Sequence, residues 1–252
     1  MKNPFVVEVC CANLDSVCAA NEAHANRIEL CSSLIEGGLT PSYGVIAKAK
    51  EIFSGDVMVM IRPRGGDFCY CDEDFQAMKA DIAYCQQVGV RGVVFGILLS
   101  DGNVDKERTV ELVQAAKGLQ TCFHRAIDMS KDIFRAMDDV IWCGCDRILT
   151  SGGNQKAIDS LETLKLIQAK ASKTIEIMVG SGINSNNVAE IYHKTAITQY
   201  HLSAKQTKHS SMLFRNNDVS MGGVATISEY DYAVSNQKEI IAVRNGLNNL
   251  TL

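Results

Sequence analysis

The chain has 252 residues, is 46% hydrophobic and carries a formal net charge of −4. This composition supports one sizeable core, while the acidic balance and the lack of a Lys/Arg cluster argue against nucleic-acid binding. No apolar run approaches the length that a bilayer requires, and residues 1–4 lead into a strand-like segment without a signal-type stretch. We therefore predict a soluble, cytoplasmic protein whose ten cysteines are mostly free thiols.

Eight short β-rich segments recur at roughly regular intervals along the chain. Such segments are typical of strands, and they cover residues 5–10, 27–31, 57–62, 92–98, 120–127, 147–151, 175–180 and 199–203. Stretches with helical periodicity lie between them, at residues 13–25, 72–88, 105–116, 131–142, 157–171 and 184–194. Asp72, Ser130 and Asn184 are the predicted N-terminal caps of three of these helices.

This alternation predicts the fold class, an α/β protein with a single (β/α)8 TIM barrel. We expect one domain over residues 1–252, with the barrel at about residues 5–205 and a C-terminal extension at about residues 206–252. A doubly wound open sheet is the alternative, but it requires near-continuously apolar strands. In the extension, the Gly/Ser/Asn-rich residues 210–223 predict a long loop near the mouth, followed by a helix around residues 229–245.

The first two predicted strands end in the same Glu-x-Cys pattern, at Glu8 and Cys10 and again at Glu29 and Cys31. Residues two apart in a strand share a face, so each Glu points the same way as its Cys. If the strands are neighbours, two carboxylates and two sulfurs converge. Because burying an unpaired charge costs several kcal/mol, the pattern predicts a functional site.

Other strands add polar residues at the C-terminal end of the barrel, where TIM-barrel active sites lie. The third strand delivers Arg62, the fifth His124 and the eighth His201. We expect Arg62 to pair with one carboxylate and to leave the other free for proton transfer. The candidate acid/base residues are Glu8, Glu29, His124 and His201. The alternative is an ion-pair network that only fills the top of the barrel.

The sixth and seventh strands end in glycine-rich turns. Such turns expose backbone N–H groups that bind phosphate in many barrels, although glycines also serve turns that need positive φ. The candidate anion-binding residues here are Ser151, Gly152, Gly153, Gly180, Ser181 and Gly182. The loop after the third strand adds Arg62 and Arg64 and is a candidate lid over an anionic ligand, unless Arg64 pairs with Asp67 or Glu73.

Six stretches of the chain resemble, in order, the CutC copper homeostasis family. They are EVC at residues 8–10, RIELCSSLIEGGLTPS at 27–42, MIRPRGGDFCY at 60–70, GVVFGIL at 92–98, FHRAID at 123–128 and DRILTSGG at 146–153. The resemblance implies a (β/α)8 barrel, a cytoplasmic location and a role in copper handling, with Cu(I) bound by Cys10 and Cys31. Where relatives typically read Met-Pro-Gly-x-Gly, this chain keeps the glycines but has Val179 in place of the proline.

Two hypotheses of function follow. In the first, the protein buffers or relays Cu(I) through its soft thiolates, aided by a sulfur such as Met60 or Cys122. In the second, it is an enzyme that acts on a small anionic or phosphorylated metabolite through the acid/base residues, with Arg62 and the late glycines holding the anion. A third possibility is a divalent metal bound by the Glu and His residues, but their spacing in the sequence matches no diagnostic metal-binding motif. A homo-oligomer is compatible with either hypothesis, but no segment identifies an interface.

Overall fold

A closed barrel of eight parallel strands forms the centre of the protein. The computed structural model describes residues 4–171, 173–221 and 227–251. Each barrel strand pairs with the next along the chain, and the eighth pairs with the first. The strands are β1 (Val6–Cys11), β2 (Arg27–Leu30), β3 (Asp56–Met60), β4 (Gly92–Phe95), β5 (Gln120–Phe123), β6 (Arg147–Thr150), β7 (Glu176–Gly180) and β8 (Gln199–Leu202). The predicted (β/α)8 TIM barrel is confirmed.

Helices surround the barrel and cover its outer face. They are α1 (Leu14–Glu22), α2 (Tyr43–Ile52), α3 (Asp72–Val88), α4 (Lys106–Ala115), α5 (Ile133–Cys143), α6 (Leu161–Ala171), α7 (Val188–Thr195) and α8 (Gln237–Asn248). Shorter 3-10 helices occupy Leu34–Glu36, Arg125–Met129, Ala157–Ser160 and Asn249–Thr251. In the part of the chain that the structure describes, none of the helices is long and apolar enough to cross a membrane.

The alternation of side chains along β1 separates two apolar layers. Val7, Val9 and Cys11 point outward and pack in the main core beneath the helices. Cys10 points inward and joins a second, smaller cluster inside the barrel. The whole interior cluster contains Cys10, Cys31, Met58, Met60, Val94, Cys122, Leu149 and Met178. The same alternation turns Glu8 inward, which is why a carboxylate lies inside a β barrel.

The fourth and fifth strands are shorter than predicted. They end at Phe95 and Phe123, although the apolar pattern continues to residues 98 and 127. After Phe123, the His124 side chain accepts a hydrogen bond from the backbone N–H of Ala126 and caps the 3-10 helix Arg125–Met129. A local side-chain hydrogen bond to the backbone therefore ends this strand, and hydrophobic patterning does not report such bonds.

The three predicted helix caps are wrong by one to three positions. Cys71, Asp132 and Asn187 occupy the cap positions of α3, α5 and α7. Asp132 accepts from the N–H groups of Phe134 and Arg135 at 2.9 and 3.1 Å, which is the normal bonding of a cap. Several polar residues precede each helix, so composition alone did not identify the residue with the required geometry. Helix α2 was also missing from the predicted helices.

The C-terminal extension contains a β hairpin that the sequence did not indicate. Its strands are β9 (Lys205–Lys208) and β10 (Tyr232–Ser235), which pair antiparallel. Because β10 takes up part of the predicted helix at residues 229–245, α8 begins only at Gln237. Residues 210–221 of the predicted loop contain no regular element, and the rest of that loop lies outside the described residues.

Candidate functional site at the mouth of the barrel

Cys10 and Cys31 lie side by side inside the barrel, with their Sγ atoms 3.7 Å apart. The strand register places Cys10 beside Glu29, and the Cys10 thiol donates a hydrogen bond to Glu29 Oε2 at 3.3 Å. Gly38, at φ +98°, lies against the pair, since a Cβ there would be 3.5 Å from Cys31 Sγ. Both cysteines are free thiols. The predicted meeting of two sulfurs and a carboxylate is therefore present in the structure.

His201 links the two glutamates. It lies beside Glu8 in the strand register, with its Nδ1 2.8 Å from Glu8 Oε1 and its Nε2 3.7 Å from Glu29 Oε2. Burial opposes charge on Glu8, but Arg27 and His201 lower the pKa of Glu8 to about 2. Burial also opposes charge on His201, but Glu29 and its other polar neighbours raise the pKa of His201 well above its usual value. Both partners of the Glu8–His201 pair are thus charged at neutral pH.

Glu29 differs from Glu8 in its proton affinity. Burial raises the pKa of Glu29 despite the opposing charge of His201. Its Oε1 atom is buried without a hydrogen-bond partner, while its Oε2 atom receives the bond from Cys10. Of the two carboxylates, Glu29 is therefore the one that protonates more readily, and its acid/base role stays a prediction.

The cation that pairs with Glu8 is Arg27, and not Arg62 as expected. Arg27 Nε donates to Glu8 Oε2, and Arg27 Nη2 donates to Gln199 Oε1 at 2.9 Å. The same Gln199 oxygen accepts from Arg147 Nε at 3.0 Å. Arg27 stands two residues before Glu29 on β2, so the alternation that places Glu29 inside the barrel also places Arg27 there. That signal was present in the sequence.

Arg62 is buried without an anionic partner. Its Nη1 donates to the carbonyl oxygens of Glu36 and Gly38 at 2.6 and 3.1 Å, and its Nη2 donates to that of Gly66 at 2.9 Å. Among residues 4–171, 173–221 and 227–251, no carboxylate oxygen lies within 4.0 Å of the guanidinium nitrogens. Its Nε makes no hydrogen bond. The Arg62 charge is therefore balanced only by carbonyl dipoles.

His124 forms no hydrogen bond with either glutamate in the described part of the chain. Its Nδ1 accepts from Ala126 N at 3.2 Å, and its buried Nε2 has no partner. Burial and the charge of Arg62 lower the pKa of His124 to about 3. The ring is therefore neutral at pH 7, and its proton resides on Nε2 because Nδ1 acts as an acceptor. Leaving such a buried donor unpaired costs about 1–3 kcal/mol.

The glycine turn after β6 already holds an anion, the carboxylate of Asp128. Its oxygens accept from the backbone N–H groups of Ser151 and Gly153 at 3.0 and 3.1 Å, and from the hydroxyl of Thr150 at 2.5 Å. Arg125 Nε donates to the same carboxylate at 2.8 Å. Gly152 N donates instead to Thr150 Oγ1. The predicted anion-binding geometry exists at this turn, but a side chain of the protein itself occupies it.

The glycine turn after β7 faces the mouth. Ser181 and Gly182 have positive φ values of 79° and 73°, and both line the cavity described below. Gly180 allows close packing of strands, since a Cβ there would lie 2.7 Å from Leu149. Ser181 Oγ donates to the carbonyl oxygen of Gln155 at 2.6 Å. Anion binding at this turn stays a prediction.

Arg64 is held by its own loop and by the first turn of α3. It contacts Asp67 and Asp74 at 3.0 Å each, so one expected partner is present and Asp74 takes the place of Glu73. Arg64 is not among the residues that line the cavity. Cys69 and Cys71 of the same loop are exposed, and Cys71 Sγ accepts a hydrogen bond at the start of α3.

A cavity of about 680 Å³ opens at the C-terminal end of the strands. On one side it reaches Cys10, Glu29 and His201, whose ligand atoms all lie within 4.8 Å of one another. We call these three residues and Cys31 the thiol side. Elsewhere the cavity is lined by Arg62, Phe68 and His124, which we call the cation side. The apolar lining residues include Leu34, Met60, Leu149 and Ile183.

Comparisons with known proteins agree with this architecture. A sequence model of the CutC family matches residues 5–206. A CutC family protein of Bacteroides fragilis is 42% identical over 241 residues, which cover 95% of this chain and 96% of that protein. The human copper homeostasis protein cutC homolog is 41% identical over 238 residues, covering 94% and 87% of the two chains. A crystal structure of CutC from Streptococcus agalactiae superposes with a TM-score of 0.75 and 35% identity, covering 79% of this chain and 98% of that one. This chain belongs to the CutC family.

Proposed function

We propose that this protein binds Cu(I) at Cys10 and Cys31 and buffers or relays the ion in copper homeostasis. The observation that carries the proposal is the 3.7 Å separation of two buried sulfurs, of which that of Cys10 belongs to a residue lining the cavity. A metal bonded to both sulfurs at about 2.3 Å each spans such a gap. Thiolates are soft ligands that suit Cu(I), and relatives are named as copper homeostasis proteins.

Deprotonation of the thiols has to accompany binding, because only thiolates bind the metal well. The hydrogen bond with Cys31 and burial raise the pKa of Cys10 well above its usual value. Without metal the Cys10 thiol therefore keeps its proton. A metal ion with a low affinity for sulfur does not displace this proton. Glu29 Oε2 already accepts the hydrogen bond of Cys10, so this carboxylate receives the proton when the Cys10–metal bond forms.

His201 is the proposed third ligand. Its ring nitrogen, Cys10 Sγ and a Glu29 oxygen form one compact group, and imidazole binds copper as well as zinc. To serve as a ligand through Nε2, His201 must lose its Nε2 proton, while Nδ1 keeps the proton that it donates to Glu8 Oε1. Met60 supplies an additional soft sulfur, since it lines the cavity beside Cys10. Cys122 belongs to the same interior cluster but does not line the cavity.

We place this function in the cytoplasm, where thiols remain reduced. All ten cysteines are free thiols. The sulfur pair therefore meets the incoming ion as two thiols that need no prior reduction.

Anaerobic titration of the full chain with Cu(I) against a competing chelator tests the proposal. We expect the variants Cys10→Ser and Cys31→Ser each to lose more than about 100-fold in affinity, since even outer-shell partners of a metal contribute about 10–100-fold. Cys11→Ala is the matched control, because Cys11 neighbours Cys10 but points out of the barrel into the main core. Its affinity should remain unchanged.

Competition with Zn²⁺ sharpens the test, since a set of thiolates, imidazole and carboxylate also suits zinc. Cu(I) should displace Zn²⁺ from the wild-type protein. Unchanged Cu(I) affinity in both serine variants, or equal losses in Cys11→Ala, contradicts the proposal.

A further inference from the structure

We propose that the mouth of the barrel binds a small organic carboxylate, whose carboxylate group lies against Arg62 and His124 on the cation side. This inference goes beyond copper binding and does not depend on it. It arises from two buried polar groups that have no use in the Cu(I) site.

The first group is the Arg62 guanidinium, a buried cation that has no counter-ion among the residues that the structure describes. The residue is only 5% exposed, and its hydrogen bonds go to three backbone carbonyls. The nearby Tyr70 hydroxyl is itself buried and unpaired. Burial raises the pKa of Tyr70 although Arg62 opposes the shift, so this phenol is neutral and does not balance the charge. Buried charges are normally paired, and Arg62 lines a cavity in which an anion can supply the missing charge.

The second group is the imidazole of His124, which is 4% exposed. Its Nε2 is buried and unpaired, and the hydrogen bond from Ala126 to Nδ1 leaves the proton on Nε2. The ring therefore offers a neutral N–H donor. A Cβ at Gly96 would come within 2.6 Å of this ring, so the absence of a side chain at that position provides the space for the imidazole.

Phe68 lies next to both groups. The Arg62 guanidinium lies 4.9 Å from the centroid of the Phe68 ring, and the His124 ring centroid is also 4.9 Å from it. All three residues line the same cavity of about 680 Å³, a volume typical of small-molecule sites. The apolar lining by Leu34, Leu149 and Ile183 suits the carbon skeleton of the ligand.

The donor set favours a carboxylate over a phosphate. One cationic group and one neutral N–H group match the two oxygens of a single carboxylate. A phosphate needs additional donors, and the backbone N–H groups of Ser151 and Gly153 already bind Asp128. Two other charged residues that line the cavity have partners in the protein, Arg125 with Asp128 and Glu239 with Ser185.

Calorimetric titration of the full chain with benzoate and with its neutral isostere benzamide tests the inference in the wild-type protein. Benzoate should bind and raise the melting temperature, whereas benzamide should do neither. With ¹⁵N-labelled histidine, the His124 Nε2 resonance should shift on addition of benzoate, because this nitrogen gains a hydrogen-bond acceptor. Binding of benzamide as tight as that of benzoate, or no binding of benzoate at millimolar concentration, overturns the inference. Inorganic phosphate that binds as tightly as benzoate overturns the carboxylate assignment.

Variants then locate the site. Arg62→Gln and His124→Phe should each weaken benzoate binding by at least about tenfold, as expected for loss of a hydrogen bond to a charged group. His124→Gln, which keeps an N–H donor, should retain most of the affinity. Arg64→Gln is the matched control, since Arg64 pairs with Asp67 and Asp74 and does not line the cavity. An equal loss in Arg64→Gln contradicts the site.

A double Cys10→Ser, Cys31→Ser variant separates this inference from the copper proposal. It should bind benzoate as the wild type does while losing Cu(I). Loss of benzoate binding in this variant would contradict a carboxylate site on the cation side. Failure of Cu(I) binding in the wild type leaves the benzoate result unaffected.

Discussion

The thiol side and the cation side of the mouth differ in how their charges are balanced. Next to the thiol side, Glu8 has both Arg27 and His201 as partners. On the cation side, within the described part of the chain, Arg62 has only backbone carbonyls as hydrogen-bond partners, and the Nε2 of His124 has no partner. Both sides are buried, so the low-dielectric environment penalises an unpaired charge equally on either side.

This difference separates the Glu8 ion pair, whose partners are protein groups, from polar groups on the cation side that a ligand can pair. A buried charge whose partners are in place is costly to unpair, so removing one partner destabilises the fold. A buried polar group that lacks a partner destabilises the free protein, and it contributes favourably only when a ligand supplies the partner. The pattern of partners therefore says more about function than the identity of the residues does.

The largest effect should come from breaking the ion pair beneath the thiols. Glu8→Leu leaves Arg27 buried and unpaired at 4% exposure, and we expect a loss of about 3–5 kcal/mol in the free energy of unfolding, measured in urea. The double variant Glu8→Leu, Arg27→Met should recover much of the loss, because it removes both charges. A loss below about 1 kcal/mol for the single variant, as for an exposed pair, would show that the pair is not structural.

A smaller loss of stability is expected from a substitution at the turn after β6. Asp128→Ala removes the acceptor of several buried donors, including Thr150 Oγ1 and the N–H of Ser151. The free energy of unfolding should fall by about 2–3 kcal/mol. Inorganic phosphate should then stabilise the variant more than the wild type, because the emptied turn binds an added anion. Equal stabilisation of both proteins would show that the turn does not bind anions by itself.

The smallest expected change in stability comes from His124 on the cation side, and it depends on pH. The pKa of His124 is lowered to about 3 in the folded state, against about 6.5 when unfolded. The unfolded chain therefore binds the extra proton between these values, so stability falls as the pH drops from about 6.5 towards 3. At pH 5 the His124 contribution should lower the free energy of unfolding by about 2 kcal/mol relative to pH 7.

Urea unfolding of wild type and His124→Gln across this pH range isolates the contribution. Glutamine does not titrate, so the difference between the two proteins should shrink or reverse below pH 6.5 in favour of the variant. A difference that is independent of pH would mean that His124 is not held neutral in the fold.

Hydrophobic periodicity predicted the barrel well, because every strand must bury an outer face under helices. On β1, for example, every second residue packs in the core beneath the helices, namely Val7, Val9 and Cys11. The boundaries and caps were less predictable. The His124 side chain ends β5 by accepting a hydrogen bond from the backbone N–H of Ala126. Such hydrogen bonds compete with those of the strand, and the apolar pattern of the sequence does not reveal them.

The sequence by itself determined the fold and the inward placement of Glu8, Cys10, Glu29 and Cys31, since strand alternation is a local property of the chain. Only the tertiary structure decided which of the converging charges are partners. The register of neighbouring strands placed Arg27 next to Glu8. The path of the loops placed backbone carbonyls, and not a carboxylate, around Arg62. It also placed the Asp128 carboxylate in the glycine turn after β6. Partners depend on distances between segments remote in sequence, and closure of the barrel sets those distances.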